Sequence, residues 1–300
     1  MSRVTEIRYV GYAVTDLAAE AAFYADTWKL QQVHAADGLV YFAAKGHDEL
    51  YVVRLRQDAV QRIDVIALAT ENAADVDALY AKVRDFGCRI IWEPRALNQF
   101  GGGYGFRFFS KDGLPYEISA GVARGTARVL TPGEAVPERI SHIVMHSPRH
   151  QEEMRFFQDV LGFRLSDWLG DFMGFLRCNA AHHRIAFLPG PPCLNHVAYD
   201  MPDIDEMMRG IARLKRQNVD IRWGPGRHTA GNNIFSYFTT PAGFAVEYTS
   251  ELEMVDFEAH QAQVIAPAPE IMDKWGVGVG GPQTMPKPAP DAALFQPAGV

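Results

Sequence analysis

Residues 7–30, IRYVGYAVTDLAAEAAFYADTWKL, and residues 140–163, ISHIVMHSPRHQEEMRFFQDVLGF, are one pattern written twice in a chain of 300 residues. The second copy begins 133 positions after the first and sets Phe156 over Phe23 and Phe163 over Leu30. Each copy alternates apolar residues as a half-buried strand does, then spaces them at three and four as an amphipathic helix does. In the second copy Ser147 and Pro148 predict a helix start, Met154, Phe157 and Leu161 share a face, and Gly162 predicts the stop.

The halves repeat again internally. RIDVIALATENAADVDALYAKV from Arg62 matches LNHVAYDMPDIDEMMRGIARL from Leu194, and FFSKDGLPYEIS at 108–119 resembles YFTTPAGFAVEYTS at 237–250. Each unit reads as strand, helix, then several short strands with Gly and Pro turns, the order βαβββ. The expected fold class is therefore α+β, four βαβββ modules paired into two domains. The expected boundaries are 1–133 and 134–252, followed by a Pro/Gly/Ala-rich tail at 253–300. Ile271, Trp275, Val277 and Val279 are costly to leave in water, so the first part of that tail is expected to pack.

Composition narrows the class of partner. The net charge of −7 is spread without long runs of one sign, which argues against a nucleic-acid or anionic-membrane partner. No signal-like segment opens the chain and no apolar run is long enough to span a bilayer, so a soluble, cytoplasmic protein is expected. Cys88, Cys178 and Cys193 lack CxxC spacing and read as reduced core residues.

The repeat also singles out chemistry. Aligned half on half, His142 stands over Tyr9 and His196 over Asp64, whereas Glu247 keeps a counterpart in Glu117. Only the second half has two imidazoles and a carboxylate, so the first reads as scaffold. Alternation places Ile140, His142, Val144 and His146 on one strand face, Leu194, His196 and Ala198 on another, and Ala245, Glu247 and Thr249 on a third. Two imidazoles and one carboxylate bind a divalent metal while leaving adjacent positions open. Zinc hydrolases use the same donors, so the three residues alone do not name a reaction.

Four βαβββ modules over about residues 5–250 resemble the vicinal oxygen chelate superfamily, whose paired modules curl around a metal. Within the second half, ISHIVMHS, AHHRIAF, LNHVAYD, GPGRHTAGNNIFSYF and PAGFAVEYTS are similar in order and spacing to the type I extradiol ring-cleavage dioxygenases. The resemblance implies a small aromatic diol of the catechol type as substrate, dioxygen as co-substrate, and Fe(2+) as cofactor, with Mn(2+) possible at the same ligands. It carries the metal ligands to His142, His196 and Glu247, and the catalytic acid/base and anion-stabilising residues to His183, His228 and Tyr237. Adjacent His182 is expected to face away from His183 and to bond near the domain surface, and His146, His34, His47, His150 and His260 have no counterpart.

Val144 and Phe175 are candidates for the pocket wall, while core packing is the ordinary reading of Trp168 and Phe172. GPGRHTAGNN lacks the lysine and spacing of a phosphate loop, and its glycines are read as letting His228 point inward. The resemblance further implies bacterial aromatic-compound catabolism, a trihydroxylated or alkyl-substituted catechol, and a homo-oligomer. Two other functions fit the same fold: a glyoxalase-like metal-dependent isomerase or lyase, working with zinc or nickel, and a non-catalytic small-molecule binding module.

Overall fold

A computed structural model describes residues 2–266, 268 and 270–286. The first module runs β1 (Glu6–Val14), α1 (Leu17–Ala22) with a wider-wound continuation at Phe23–Thr27, β2 (Gln31–Ala36), β3 (Leu39–Ala43) and β4 (Val53–Gln57). The second is β5 (Arg62–Ala69), α2 (Ala73–Asp85), β6 (Arg89–Ala96), β7 (Tyr104–Phe109) and β8 (Pro115–Ala120). The third is β9 (Arg139–Ser147), α3 (His150–Asp159), β10 (Arg164–Leu169), β11 (Met173–Arg177) and β12 (Ile185–Pro189). The fourth is β13 (Cys193–Asp200), α4 (Ile204–Arg216), β14 (Trp223–Arg227), β15 (Ile234–Thr239) and β16 (Ala245–Ser250). Two short strands, β17 (Gln263–Ile265) and β18 (Val279–Gly280), follow.

The modules pair through their first strands. β1 lies antiparallel to β5 at the centre of an eight-stranded sheet, β2-β3-β4-β1-β5-β8-β7-β6. β9 lies antiparallel to β13 in a sheet of ten, β17-β10-β11-β12-β9-β13-β16-β15-β14-β18. One face of each sheet carries the helices: Val76, Leu79 and Val83 of α2, and Met207, Ile211 and Leu214 of α4, are buried, and these helices start at Asn72 and Asp203, whose side chains accept backbone N–H bonds. The shared core crosses the halves, where Trp28 stacks on Tyr248 with ring centroids 3.9 Å apart. The helix α3 begins at His150, two residues past the expected Pro148, because the Ser147 hydroxyl accepts from Arg149 N and holds the strand end in a turn.

Strict alternation fails at two places. Between β9 and β13 the pairing slips after Ala198↔His142 to Tyr199↔Ile140, and again between His196↔Val144 and Leu194↔Met145. Each slip is a β-bulge, and each reverses the faces beyond it. Ile140 and Leu194 therefore lie in the helix-side core and not beside His142 and His196. β16 has no slip, so Ala245, Glu247 and Thr249 face away from Val246 and Tyr248 of the core as alternation requires.

The same register revises the half-to-half alignment. Tyr9 pairs with Ala67 as His142 pairs with Ala198, and Ala67 and Ala198 lie beside Glu117 and Glu247. His196 pairs with Val144, and the matching pair in the first sheet is Val65 with Gly11. The counterpart of His196 is thus Val65, one residue on from Asp64, because the connection entering β13 differs by one residue from that entering β5.

The described part of the tail, which ends at residue 286, is woven into the second sheet, and residues 287–300 of the expected tail lie outside the described residues. β17 pairs with β10 and β18 with β14, and Ile271 and Met272 pack over the sheet's open face. Trp275, Val277 and Val279, expected to be covered, are exposed. Among the described residues no helix is long and apolar enough to cross a membrane.

Candidate metal centre

His142 from β9, His196 from β13 and Glu247 from β16 converge on the open face of the second sheet, and all three are buried. Glu247 Oε2 lies 3.0 Å from His196 Nε2 and 3.3 Å from His142 Nε2, and the two nitrogens are 3.5 Å apart. Donors about 2.0–2.2 Å from one divalent ion and at right angles to one another stand about 3 Å apart, close to the spacing seen. Glu247 Oε2 takes no aligned hydrogen bond despite its neighbours. An ionised, buried carboxylate oxygen flanked by two imidazole nitrogens at this spacing is stabilised by a cation, and the residues fit a divalent metal.

The outer atoms are tied down, as metal ligands require. His142 Nδ1 meets Ser141 Oγ at 3.2 Å, and Asn233 Nδ2 donates to Glu247 Oε1 at 3.4 Å. His196 Nδ1 donates to Asn195 Oδ1 at 2.6 Å, Asn195 Nδ2 donates to His146 Nε2 at 2.8 Å, and His146 Nδ1 donates to the Pro189 carbonyl at 3.3 Å. The carbonyl accepts only, so this path leaves His196 Nε2 as a lone pair. The bulge at Asn195 makes the path possible by turning both Asn195 and His196 to the same side. Burial pushes the Glu247 carboxyl up, but His142 and His196 beside it more than reverse this and hold it below the ordinary range.

His183, His228 and Tyr237 surround the three donors. His183 sits with its ring centroid 4.4 Å from that of His142, and burial followed by the crowd of imidazoles keeps it well below the usual histidine range. Tyr237 Oη and His228 Nε2 are 2.9 Å apart on the far side. His228 Nδ1 donates to the Met272 carbonyl at 2.6 Å, so its Nε2 accepts and the Tyr237 hydroxyl donates. Burial lowers His228 to about 4, and burial together with Glu247 raises the Tyr237 phenol.

These groups line a cavity of about 480 Å³. Val144 and Phe175 are in its wall, with Leu169, Met173, Trp223 and Ile271. Among the described residues that line it there is no lysine or arginine. Trp168 turns away to the helix-side core.

Three features differ from the sequence reading. His182 and His183 precede β12, outside extended backbone, so alternation does not separate them; their Nδ1 atoms face each other at 3.0 Å, and His182 is wholly buried with Nε2 2.9 Å from Asp167 Oδ2. Gly231, at φ +73, lies against both rings instead of aiming His228, and a Cβ there would stand 3.0 Å from His183 Cε1. His146, Asn195 and Met272 join the site; the shared face of His142 and His146 was a usable signal for the first, whereas the other two depend on a bulge and on the path of the tail.

Paired βαβββ modules with a buried His-His-Glu set in one of the two sheets define a metal-binding protein of the vicinal oxygen chelate type. The chain belongs to the Glyoxalase/Bleomycin resistance protein/Dioxygenase superfamily, whose model matches residues 139–248. The Mn(II)-bound glyoxalase from Novosphingobium aromaticivorans is 62% identical, with 99% of each chain covered and a TM-score of 0.97. The biphenyl-2,3-diol 1,2-dioxygenase of Paraburkholderia xenovorans (strain LB400) is 26% identical over 270 residues, covering 84% of this chain and 90% of the relative. The iron-dependent extradiol dioxygenase of Rhodococcus jostii (strain RHA1) is 24% identical over 258 residues, covering 66% and 85%.

Proposed function

We propose that this chain is a dioxygenase that opens an aromatic diol beside its two hydroxyls, with Fe(2+), or alternatively Mn(2+), held by His142, His196 and Glu247. In this reading residues 134–252 carry the chemistry and residues 1–133 act as scaffold. The observation that carries it is the placement of His183 on one side of the triad and the Tyr237–His228 pair on the other. The iron- or manganese-dependence and diol substrates in the relatives' names support it.

The metal would supply chelation of both diol oxygens and electronic coupling of the diol to dioxygen. The protein's part follows from its own groups. The Tyr237 phenol keeps its proton, which it gives to His228 Nε2 in the free site and can turn to an anionic diol oxygen when one binds. His183 is uncharged and can hold or return one proton at the reacting oxygens, work commonly worth about 10²–10⁴ in rate. Phe175 and Val144 cover the ring and keep water out.

The apolar walls and the lack of lysine or arginine among the described lining residues favour a diol without a charged side chain. A trihydroxytoluene or an alkyl-substituted catechol meets this description, and the motifs AHHRIAFLPGPPCLNHVAYD and WGPGRHTAGNN are similar to those of the trihydroxytoluene oxygenase of bacterial dinitrotoluene degradation. A panel of neutral and carboxylated catechols tests this. Higher kcat/KM for the neutral members is expected, and preference for a carboxylated diol would refute the assignment.

A glyoxalase-type reaction is the second reading, favoured by the description of the 62% identical relative. The same lack of lysine and arginine among the described lining residues counts against it, because an anionic thiol adduct would meet no cationic side chain among them.

A further inference from the structure

His183 is the inner end of a hydrogen-bond chain that starts at Asp167. Asp167 Oδ2 faces His182 Nε2 at 2.9 Å, and His182 Nδ1 faces His183 Nδ1 at 3.0 Å. The other carboxylate oxygen, Oδ1, accepts from the Gln263 backbone N–H of β17 at 2.9 Å. His182 is fully buried and His183 nearly so. Gly231 closes over both rings: with φ +73, a Cβ there would meet His183 Cε1 at 3.0 Å and His182 Nδ1 at 3.1 Å, so a side chain at that position would push the pair apart.

Asp167, His182 and His260 bring donor atoms within 4.8 Å of one another, a spacing that a metal could bridge. The hydrogen bonds exclude that use. His260 Nε2 is 3.1 Å from the Ser166 carbonyl and must donate to it, and both Asp167 oxygens already accept.

The chain's hydrogens can be placed by elimination. An ionised carboxylate only accepts, so His182 carries a hydrogen on Nε2 and donates it to Asp167. One more hydrogen lies between the two facing Nδ1 atoms. On His182 it would make that ring an imidazolium, a buried cation behind a divalent-metal site, which a low-dielectric interior penalises. It belongs on His183 Nδ1. The nitrogen of His183 left for the cavity, Nε2, is then a bare lone pair.

We propose that Asp167 and His182 are positioning residues that fix the ring and tautomer of His183, so that Nε2 stands in the cavity as the acceptor for a diol hydroxyl. The identity of the hydroxyl donor rests on the diol-cleavage reading, whereas the tautomer is a property of this chain alone. The effect resembles the outer partners of metal ligands, applied here to a residue that touches substrate and not metal.

The test is side-chain ¹H–¹⁵N correlation spectroscopy of protein labelled at histidine and loaded with zinc, a diamagnetic ion, with His183 assigned by His183→Gln. The wild type is expected to show a pyrrole-type Nδ1 and a pyridine-type Nε2 for His183. His182→Phe and Asp167→Ala are expected to mix or reverse that pattern. His182→Asn, whose amide oxygen replaces Nδ1 as acceptor, is expected to restore it. With iron-loaded protein and a turned-over diol, His182→Phe should lower kcat about 10–100-fold with KM changed less than about threefold, and His182→Asn should recover most of the loss. A proton on His183 Nε2 in the wild type overturns the proposal, as does an unchanged pattern in both variants. The wild-type spectrum decides even if a variant fails to fold. The predicted tautomer without turnover of any diol would support the hydrogen-bond chain and remove the reaction assigned to the site.

Discussion

Arg107 Nε donates to Glu117 Oε2 at 2.8 Å, and Glu117 holds the position in the first sheet that Glu247 holds in the second. Arg107 pairs with Glu117 as Tyr237 pairs with Glu247, and its Nη2 is also 3.3 Å from the Tyr9 hydroxyl, where His142 stands in the other half. A guanidinium therefore neutralises the buried carboxylate of the first half, and no metal is required there. The two halves solve one electrostatic problem with a covalently attached cation and with a bound one.

Removing that cation should be costly. Arg107→Ala leaves Glu117 buried without its charge partner, with only the hydrogen bonds from Gln99 and Tyr9 remaining, and is expected to lower stability by about 3–5 kcal/mol in urea unfolding. Replacing both partners, Arg107→Met with Glu117→Leu, should cost much less, and the metal content of the second half should not change. Wild-type stability in Arg107→Ala would contradict this.

His142→Ala and Glu247→Gln should each abolish stoichiometric binding of a divalent metal, measured by elemental analysis after desalting. In the wild type, metal at about a hundred times Kd is expected to add about 2.7 kcal/mol of stability, and a chelator should remove it. A variant that retains full metal would place the ion elsewhere.

Tyr237→Phe removes the hydroxyl that would turn from His228 to a diol oxygen while keeping the ring stacked on Trp223. Loss of one such donor typically costs about 10²–10³ in kcat. Steady-state kinetics on the metal-loaded variant should show that fall with metal content unchanged; a variant within threefold of wild type would show that the phenol is not used.

Glu20 offers a pH test away from the site. Its side chain is buried between the halves, accepting from Ala242 N at 2.8 Å, and burial pushes its carboxyl from 4.5 up to about 7. The folded-state value lies above the unfolded one, so the unfolded chain releases the proton first as pH rises. Stability fully present below 4.5 is lost progressively up to about 7 and changes no further above it, for a total of about 3 kcal/mol. Glu20→Gln keeps the acceptor and should remove this slope, making the variant more stable than wild type at pH 8 and equal to it at pH 4.5. Parallel curves for the two proteins would contradict the assignment.

The module order was legible because period and repeat are local properties: the strand of β9 and the face of α3 that buries Met154 and Phe157, with Leu161 buried just past its end, are written in consecutive residues. The donor types at 142, 196 and 247 were legible because the first half supplies a comparison within the chain. What was not legible depends on pairing between distant strands. The bulges that send Ile140 and Leu194 to the core arise from the register of β9 against β13, and the equivalence of His196 with Val65 follows from that same register. His182 could not be placed because its backbone leaves the strand, and Met272 could not be placed because its role needs the tail folded back over His228.

Consumption of dioxygen to open a diol ring is the reaction proposed for this site. Protein reconstituted with ferrous iron under anaerobic conditions, then mixed with trihydroxytoluene, alkylcatechols or dihydroxybiphenyl in an oxygen electrode, should take up one dioxygen per diol and form a ring-opened chromophore, and His183→Ala should do so far more slowly. Full iron loading with no oxygen uptake for any diol would contradict the claim and point to isomerase or lyase chemistry at the same three ligands.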